Sequence, residues 1–323
     1  MNAPARGQPP PSDSARRIGG ATSGTRDTLG TVAASGKETA SLPDPVQHSA
    51  RYPTDTNYLR DLFSASARYY ERVNLVTSMG QVALWRREVI RVARLRPTDK
   101  VLDAFCGPGG LAEHALPHLG EGGRLVLADL SPVMLREARA RLERVRAGHM
   151  GAGHMGSGHW GFGPRGSGLG DSGQVGAARE GSGPEVDYVA GDLLHDELGL
   201  RDFDVVLLGW GLRYVEDVPA ALARMRTFLR PEGRLVILEF TRPPSISWAT
   251  PAHVYFRYIL PRVGSLLAQD RELHEYLRVS SAGFLSATEL GRAVEETGFA
   301  LIHRRTYLDG LVTVLVAVPK GVG

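Results

Sequence analysis

Residues 100–129 hold the pattern that most narrows the fold. Val101-Leu102-Asp103-Ala104-Phe105 is a short apolar strand, closed by Cys106-Gly107-Pro108-Gly109-Gly110 and followed by a helix-forming stretch from Leu111 to Leu119. Gly123 to Asp129 is a second apolar strand, and Ser131-Pro132 caps and opens a helix running to about Arg146. Strand, glycine turn, helix, strand and helix in so few residues is the opening of a parallel α/β sheet, because parallel neighbours need a crossover of this length.

The rest of the chain extends that beginning. Val186–Ala190 reads as a third strand and Phe203–Leu208 as a fourth, with Gly209–Tyr214 as the turn beyond it. Pro219–Leu229 is a helix, Arg230–Gly233 a turn and Arg234–Phe240 a fifth strand. Arg242–Ser281 holds three helix-like, aromatic-bearing pieces, and Ala287–Thr297 is a last helix before two strands, Ala300–Tyr307 and Leu311–Val318. Leu308-Asp309-Gly310 between them is hairpin-sized, so that pair should be antiparallel. Two helices lead in, Tyr58–Arg72 and Thr77–Leu95, each with apolar residues at helical spacing. The expectation is an α/β fold with a doubly wound, seven-stranded, mostly parallel sheet whose last strand is antiparallel, a reversed element at the edge.

Composition decides how much of the 323 residues belongs to that sheet. Of 39 glycines, 14 fall in the 39 residues from Ala147 to Glu185, which hold few aliphatic side chains, and residues 1–56 show no apolar period. Setting both aside leaves 228 residues, one α/β domain. The predicted organisation is a disordered tail over 1–56 and a catalytic-type domain over 57–323 with a flexible Gly/His-rich insertion at 147–185. A net charge of +3, with 35 Arg and only Lys37, Lys100 and Lys320, gives no clustered basic footprint for nucleic acid. The lone Cys106 excludes an internal disulfide framework and fits a reducing cytoplasm. The longest apolar run, Leu311–Val318, is far short of the roughly 18 residues a membrane span needs. His149, His154 and His159 recur in the insertion, but a flexible loop is the better reading than a metal site, and no metal is expected.

Gly107, Gly109 and Ala112 satisfy G-x-G-x-x-A, and Asp129 ends the second strand where a ribose-binding acid belongs. That pattern alone serves nicotinamide and S-adenosyl-L-methionine enzymes alike. Two features favour the second. Asp103 lies inside the first strand, where a carboxylate can meet the ammonium of a methionine moiety, and Gly191-Asp192 closes the third strand, where an acid can accept an adenine amine. Pro108 also removes a backbone donor that a pyrophosphate would use. The candidate cofactor residues are therefore Asp103, Gly107, Pro108, Gly109, Asp129 with Leu130, Asp192 with Leu193, and Gly209 at the end of the fourth strand. The plain alternatives are turn glycines and solvated strand ends.

From Leu62 to Pro319 the chain resembles the UbiE/MenG methyltransferases. Phe63-Ser64-Ala65-Ser66-Ala67-Arg68-Tyr69-Tyr70-Glu71-Arg72-Val73-Asn74 is similar to that family's F-x-x-x-A-x-x-Y-D-x-x-N, and Ser78-Met79-Gly80 with Leu84-Trp85-Arg86-Arg87 to its S-x-G-x-x-x-x-W-(K/R)-(K/R). Gly211-Leu212-Arg213 with Asp217 is similar to F-G-(L/I)-R-N-x-x-D, Leu229 through Phe240 to L-K-P-G-G-x-(L/F)-x-x-L-E-F, and Leu260–Gly264 and Tyr276-Leu277 to P-x-x-G and Y-x-Y-L. The chain departs at Phe105, Pro108, Gly209, Tyr214, Glu71 and His274, and the insertion has no counterpart. The resemblance implies a class I, Rossmann-like methyltransferase fold with a helical segment covering the substrate. It implies S-adenosyl-L-methionine as cofactor and C-methylation of a prenylated quinol ring, demethylmenaquinol to menaquinol.

Ring methylation needs a nucleophilic carbon, hence a quinol hydroxyl that loses its proton or an oxyanion that is stabilised. Arg213 stays protonated and suits stabilisation, His274 has the pKa for a base, and Tyr70 can position the ring. Their plain alternatives are an arginine paired to Glu216 or Asp217, a surface histidine and a core tyrosine. His253–Ala268 is apolar enough to line a prenyl channel or simply to cover the core. A lipid-tailed substrate implies transient contact with the inner face of a membrane by a cytoplasmic protein; whether it forms a homodimer stays open. Two other readings stay open as well, a methyltransferase for another hydrophobic aromatic or polyketide-like molecule and a cofactor-binding module without catalysis.

Overall fold

The computed structural model describes residues 55–78, 80–152, 183–243, 254, 258, 276, 280 and 283–321. Seven strands, β1 (Lys100–Ala104), β2 (Arg124–Asp129), β3 (Glu185–Ala190), β4 (Phe203–Gly209), β5 (Leu229–Phe240), β6 (Phe299–Tyr307) and β7 (Val312–Pro319), form one sheet in the order β3-β2-β1-β4-β5-β7-β6. Pairing is parallel from β3 through β5, and β7 is antiparallel to both β5 and β6.

The central strands are buried on both faces, which is why they read as unbroken apolar runs. Val101, Leu125, Leu127, Val205, Leu207, Val236 and Val314 face helices α3 (Val82–Ala93), α4 (Gly110–Ala115) and α5 (Pro132–Ala152). Leu102, Ala104, Val126, Val206, Leu208 and Ile237 face α6 (Val218–Phe228) and α7 (Ala287–Glu296). The period of two along each strand thus builds two cores on opposite sides of the sheet.

Five details differ from expectation. The reversed strand is interior: β7 lies between β5 and β6, and β6 forms the edge. Burial explains this, since the apolar Val312–Val316 is buried throughout while β6 exposes Ile302, Arg304 and Arg305. The first lead-in helix is two, α1 (Thr56–Ser66) and α2 (Tyr70–Thr77), broken where the Ser66 hydroxyl donates to the Phe63 carbonyl at 3.0 Å. The next begins at Val82 rather than Thr77, because Gly80, at φ +77°, donates its N–H back to Leu75 O and ends α2. Residues 230–233 are a bulge within β5, where pairing jumps from Phe203↔Leu229 to Val205↔Arg234. Helix α5 continues to Ala152, and the piece 244–275, with His274 and the proline-glycine motif at 261–264, lies almost wholly outside the described residues.

Candidate active site

Parallel register brings the carboxyl ends of β1, β2 and β3 side by side, with Ala104 opposite Ala128 and Asp129 opposite Ala190. The chain proceeds outward in opposite directions from β1 and β4, so the crevice of a doubly wound sheet opens there. Beneath it the glycine turn is left-handed at Phe105 (φ +53°), Gly107 (φ +52°) and Gly109 (φ +77°). Cys106 donates to Ala128 O and Gly109 to Cys106 O, which ties the turn to β2 and to itself. Gly107 borders open space where a side chain would stand. Gly109 has the opposite environment: a Cβ there would lie 3.0 Å from Ala138 Cβ on α5. Gly109→Ala combines that contact with a left-handed backbone, at about 2 kcal/mol, and should lower the melting temperature by about 4–8 °C in a scan of the unliganded protein. An unchanged melting temperature would show that α5 yields freely.

Two carboxylates hold this turn and the helix it opens, and a third, Asp192, follows the end of β3. Asp129 accepts the N–H groups of Gly107 and Ser131, both at 2.9 Å, yet burial raises its carboxyl to about 6. Asp103 is 1% exposed, accepts the Ala112 N–H at 3.0 Å at the start of α4, and is raised by burial to about 8. Asp192 is also partly buried, but bonds from His195 (2.9 Å) and the Leu194 N–H (2.8 Å) outweigh burial and hold it below the usual carboxylate range.

A cavity of about 810 Å³ runs over these groups, walled by Gly107, Asp129, Leu130, Asp192, Leu193 and Gly209 on the sheet side. It continues to Leu59, Phe63, Tyr70 and Tyr214, beneath α1 and α2. Tyr214 stacks on Tyr276 with centroids 5.6 Å apart, and Phe63 meets Tyr214 edge-on at 4.9 Å and Tyr70 at 6.0 Å. The Tyr70 and Tyr214 hydroxyls are hydrogen-bonded, and burial raises both phenols.

Arg213 is 4% exposed and stands behind Tyr214 rather than in the cavity wall. Its Nη1 meets Glu239 Oε1 at 3.2 Å, its Nη2 donates to the Tyr214 hydroxyl, and its plane lies over the Tyr214 and Phe240 rings. Its carboxylate partner is therefore Glu239, not Glu216 or Asp217; Asp217 caps α6 by accepting the Ala220 N–H. Glu239, fully buried, also accepts the Leu212 and Phe240 N–H groups, and burial raises it to about 7.

Two of the departures, Phe105 and Gly209, fit their neighbours closely. A Cβ at Gly211 would fall 2.6 Å from the Phe105 ring, and one at Gly209 would fall 2.7 Å from Leu111 Cδ1. Phe105 and Leu111 thus occupy the volume those glycines leave. Among the expected site residues, Tyr70, Asp103, Gly107, Pro108, Asp129, Leu130, Asp192, Leu193 and Gly209 line the main cavity or the recess adjoining it. Gly109 shapes the turn from behind, and His274 lies outside the described residues. Among the described residues no group of three His, Cys, Asp or Glu is placed to hold a metal, and of the three insertion histidines only the backbone of His149 is described.

This sheet order with an inserted antiparallel strand, and a cavity over a glycine turn flanked by strand-end acids, define a class I S-adenosylmethionine-dependent methyltransferase. The solved fold of magnesium protoporphyrin IX methyltransferase from Synechocystis PCC 6803, with bound SAH, agrees at a TM-score of 0.51, covering 82% of this chain and 100% of that one at 16% identity. More narrowly, the chain belongs to the ubiE/COQ5 methyltransferase family, whose sequence model matches residues 52–151 and 170–319. It is 27% identical over 260 residues to the ubiquinone/menaquinone biosynthesis C-methyltransferase UbiE of Legionella pneumophila, covering 80% of this chain and 89% of that one. It is also 27% identical over 250 residues to the demethylmenaquinone methyltransferase of Staphylococcus aureus, covering 77% and 88%. The break in the family match, 152–169, falls within the Gly-rich segment and is shorter than the 147–185 set aside on composition.

Proposed function

We propose that this enzyme methylates a ring carbon of a prenylated quinol, with demethylmenaquinol as substrate and menaquinol as product. The observation that carries the reading is the extension of the cavity past the strand-end acids to Phe63, Tyr70 and Tyr214, an aromatic wall suited to a flat ring. The names of the related proteins, which concern ubiquinone and menaquinone, point to the same substrate class.

The residues fit the cofactor. Asp129 would take the ribose hydroxyls, Asp192 the adenine amine, and Leu130 and Leu193 the faces of the base, all four lining the cavity. Gly107 leaves its open space to the sugar and the chain beyond it, with Pro108, Gly109 and Gly209 shaping the turn and Asp103 taking the ammonium. When bound, S-adenosylmethionine supplies an electrophilic methyl group on sulfur.

The chain's own contribution is to the ring. Tyr70 and Tyr214 face the cavity with phenols that burial keeps protonated, so they donate to a quinol oxygen as negative charge grows on it. Arg213 acts through Tyr214: a permanent cation bonded to that hydroxyl makes it a stronger donor. His274 remains the proposed base. A lipid tail would bring this cytoplasmic protein transiently to the inner membrane face; among the described residues no helix is long and apolar enough to cross a membrane.

The deciding experiment offers reduced demethylmenaquinone and a reduced benzoquinone precursor side by side with radiolabelled cofactor. Methylated naphthoquinol should form at least about tenfold faster at equal concentration, a bias of about 1.4 kcal/mol in transition-state binding. Product from neither quinol, with S-adenosylhomocysteine still bound in calorimetry, would overturn the substrate class.

A further inference from the structure

The small net charge of the whole chain conceals a large local one. Between Arg68 and Arg96 there are seven arginines and two glutamates, an excess of five positive charges in a chain whose net charge is +3. Folding engages both glutamates. Glu71 is held by Arg86 at 2.8 and 2.9 Å and by Arg141 at 3.2 Å, and Glu88 by Arg91 at 2.6 and 2.7 Å and by Arg305 at 3.2 Å. Arg68, Arg72, Arg87 and Arg94 are left exposed, with no carboxylate partner among the described residues. Helical spacing sets them beside two leucines. On α3, positions 84, 87, 91 and 94 share one face, opposite Val82, Trp85, Val89 and Ala93, which are buried in the core. On α2, Arg72 and Leu75 share the face opposite Tyr70. Leu75 and Leu84 flank the Gly80 turn in the chain and are 53% and 59% exposed. One exposed leucine is ordinary; a pair among unpaired guanidinium groups is an apolar tip in a cationic field.

This face starts at the cavity end of the molecule. Trp85 meets Phe240, the last residue of β5, with centroids 6.2 Å apart, while the Arg94 carbonyl accepts from Arg234, toward the other end of that strand. Helix α2 stands between face and cavity, with Tyr70 lining the cavity and Arg72 and Leu75 turned the other way. We infer that this face docks the enzyme on an anionic lipid bilayer, Leu75 and Leu84 entering the acyl boundary while Arg72, Arg87 and Arg94 meet lipid phosphates. The inference rests on the reading of a lipid-tailed substrate above and names the surface that reaches it. The mixture of groups selects lipid over nucleic acid. A duplex would match the arginines and leave both leucines in water, whereas a bilayer interface takes both kinds of side chain. Each arginine near an anionic surface raises partitioning about fivefold, so a few of them give a contact that forms and releases.

The test is cosedimentation of the full chain with two kinds of vesicle, phosphatidylcholine alone and phosphatidylcholine with phosphatidylglycerol in equal parts. Partitioning onto the anionic vesicles should exceed that onto the neutral ones by about 100-fold and weaken as salt is raised. Arg72→Gln, Arg87→Gln and Arg94→Gln together should remove about 100-fold, and Leu75→Ser with Leu84→Ser about tenfold. Both variants should keep the wild-type melting temperature and the wild-type rate on a short-chain, water-soluble quinol. Equal binding to the two kinds of vesicle, or variants that bind as the wild type does, would overturn the surface. So would a wild-type dimer that the leucine variant splits, which would make the face an interface between copies, or a tighter hold on duplex DNA than on the anionic vesicles. The substrate reading fails separately: anionic-vesicle binding that the variants abolish, in a protein that methylates no quinol, would keep the surface and remove the quinol.

Discussion

Arg213→Ala should cost about 3–5 kcal/mol of stability, lowering the melting temperature by roughly 10 °C, because it strands a buried carboxylate. Glu239 is 0% exposed, and the two backbone N–H groups it accepts are too little to hold a full charge away from water. With the arginine gone it should take up a proton, since burial already raises it to about 7 with the arginine present. The sign of the pH dependence follows. Above the ordinary value of 4.5 the unfolded chain has lost that proton and the folded variant retains it, so the variant's stability falls as pH rises through 7 and recovers on acidification. Adding Glu239→Gln removes the stranded charge and should restore most of the loss.

Turnover then separates the two roles of Arg213. If the arginine only stabilises the fold, the double variant regains activity together with stability. If it also strengthens Tyr214 as a donor to the substrate oxyanion, stability returns while kcat stays about 100-fold down, with S-adenosylhomocysteine affinity close to wild type. A double variant with full kcat would remove Arg213 from the chemistry.

How far the sequence reaches is clearest where partners are close in the chain. Lys100–Asp129 specifies strand, turn, helix and strand because every cue is local: apolar runs and left-handed glycines. Asp103, Asp129 and Asp192 could be placed together from sequence because parallel pairing sets strand ends side by side whatever the loops do. Arg213 could not be oriented. Its partner is 26 residues away, and the 3-10 turn Leu212–Tyr214 swings it toward β5, away from the cavity that Tyr214 enters. The signal for Glu239 was present as an acid within an otherwise apolar strand. The departures at Phe105 and Gly209 could not be judged singly; the structure shows Phe105 filling the space beside Gly211 and Leu111 the space beside Gly209. The break between α1 and α2 was hidden because the apolar period runs through it.

The affinity for S-adenosylhomocysteine should rise by up to about tenfold per pH unit between roughly pH 6 and 8, a total near 50-fold. Asp103 is the reason. Burial raises its carboxyl to about 8, so at neutral pH it is mostly protonated and cannot pair with an ammonium. Binding must first remove that proton, which costs one factor of ten for each unit below 8. The window closes on the acid side near 6, where Asp129 begins to take up a proton of its own. Two further measurements follow from the same group. Calorimetry at pH 7 in buffers of different ionisation enthalpy should show about 0.9 proton released per ligand bound. The unliganded protein should lose stability as pH rises from about 4 toward 8, because the folded state holds a proton that the unfolded chain, with Asp103 near 3.8, has given up. Saturating ligand should abolish that slope, since the bound ammonium lowers the carboxyl it faces. Asp103→Asn should bind more weakly at pH 8 and show no dependence on pH between 6 and 8. A wild-type affinity that is flat across this window, with no proton release, would remove Asp103 from the ammonium and leave it only its bond to the Ala112 N–H.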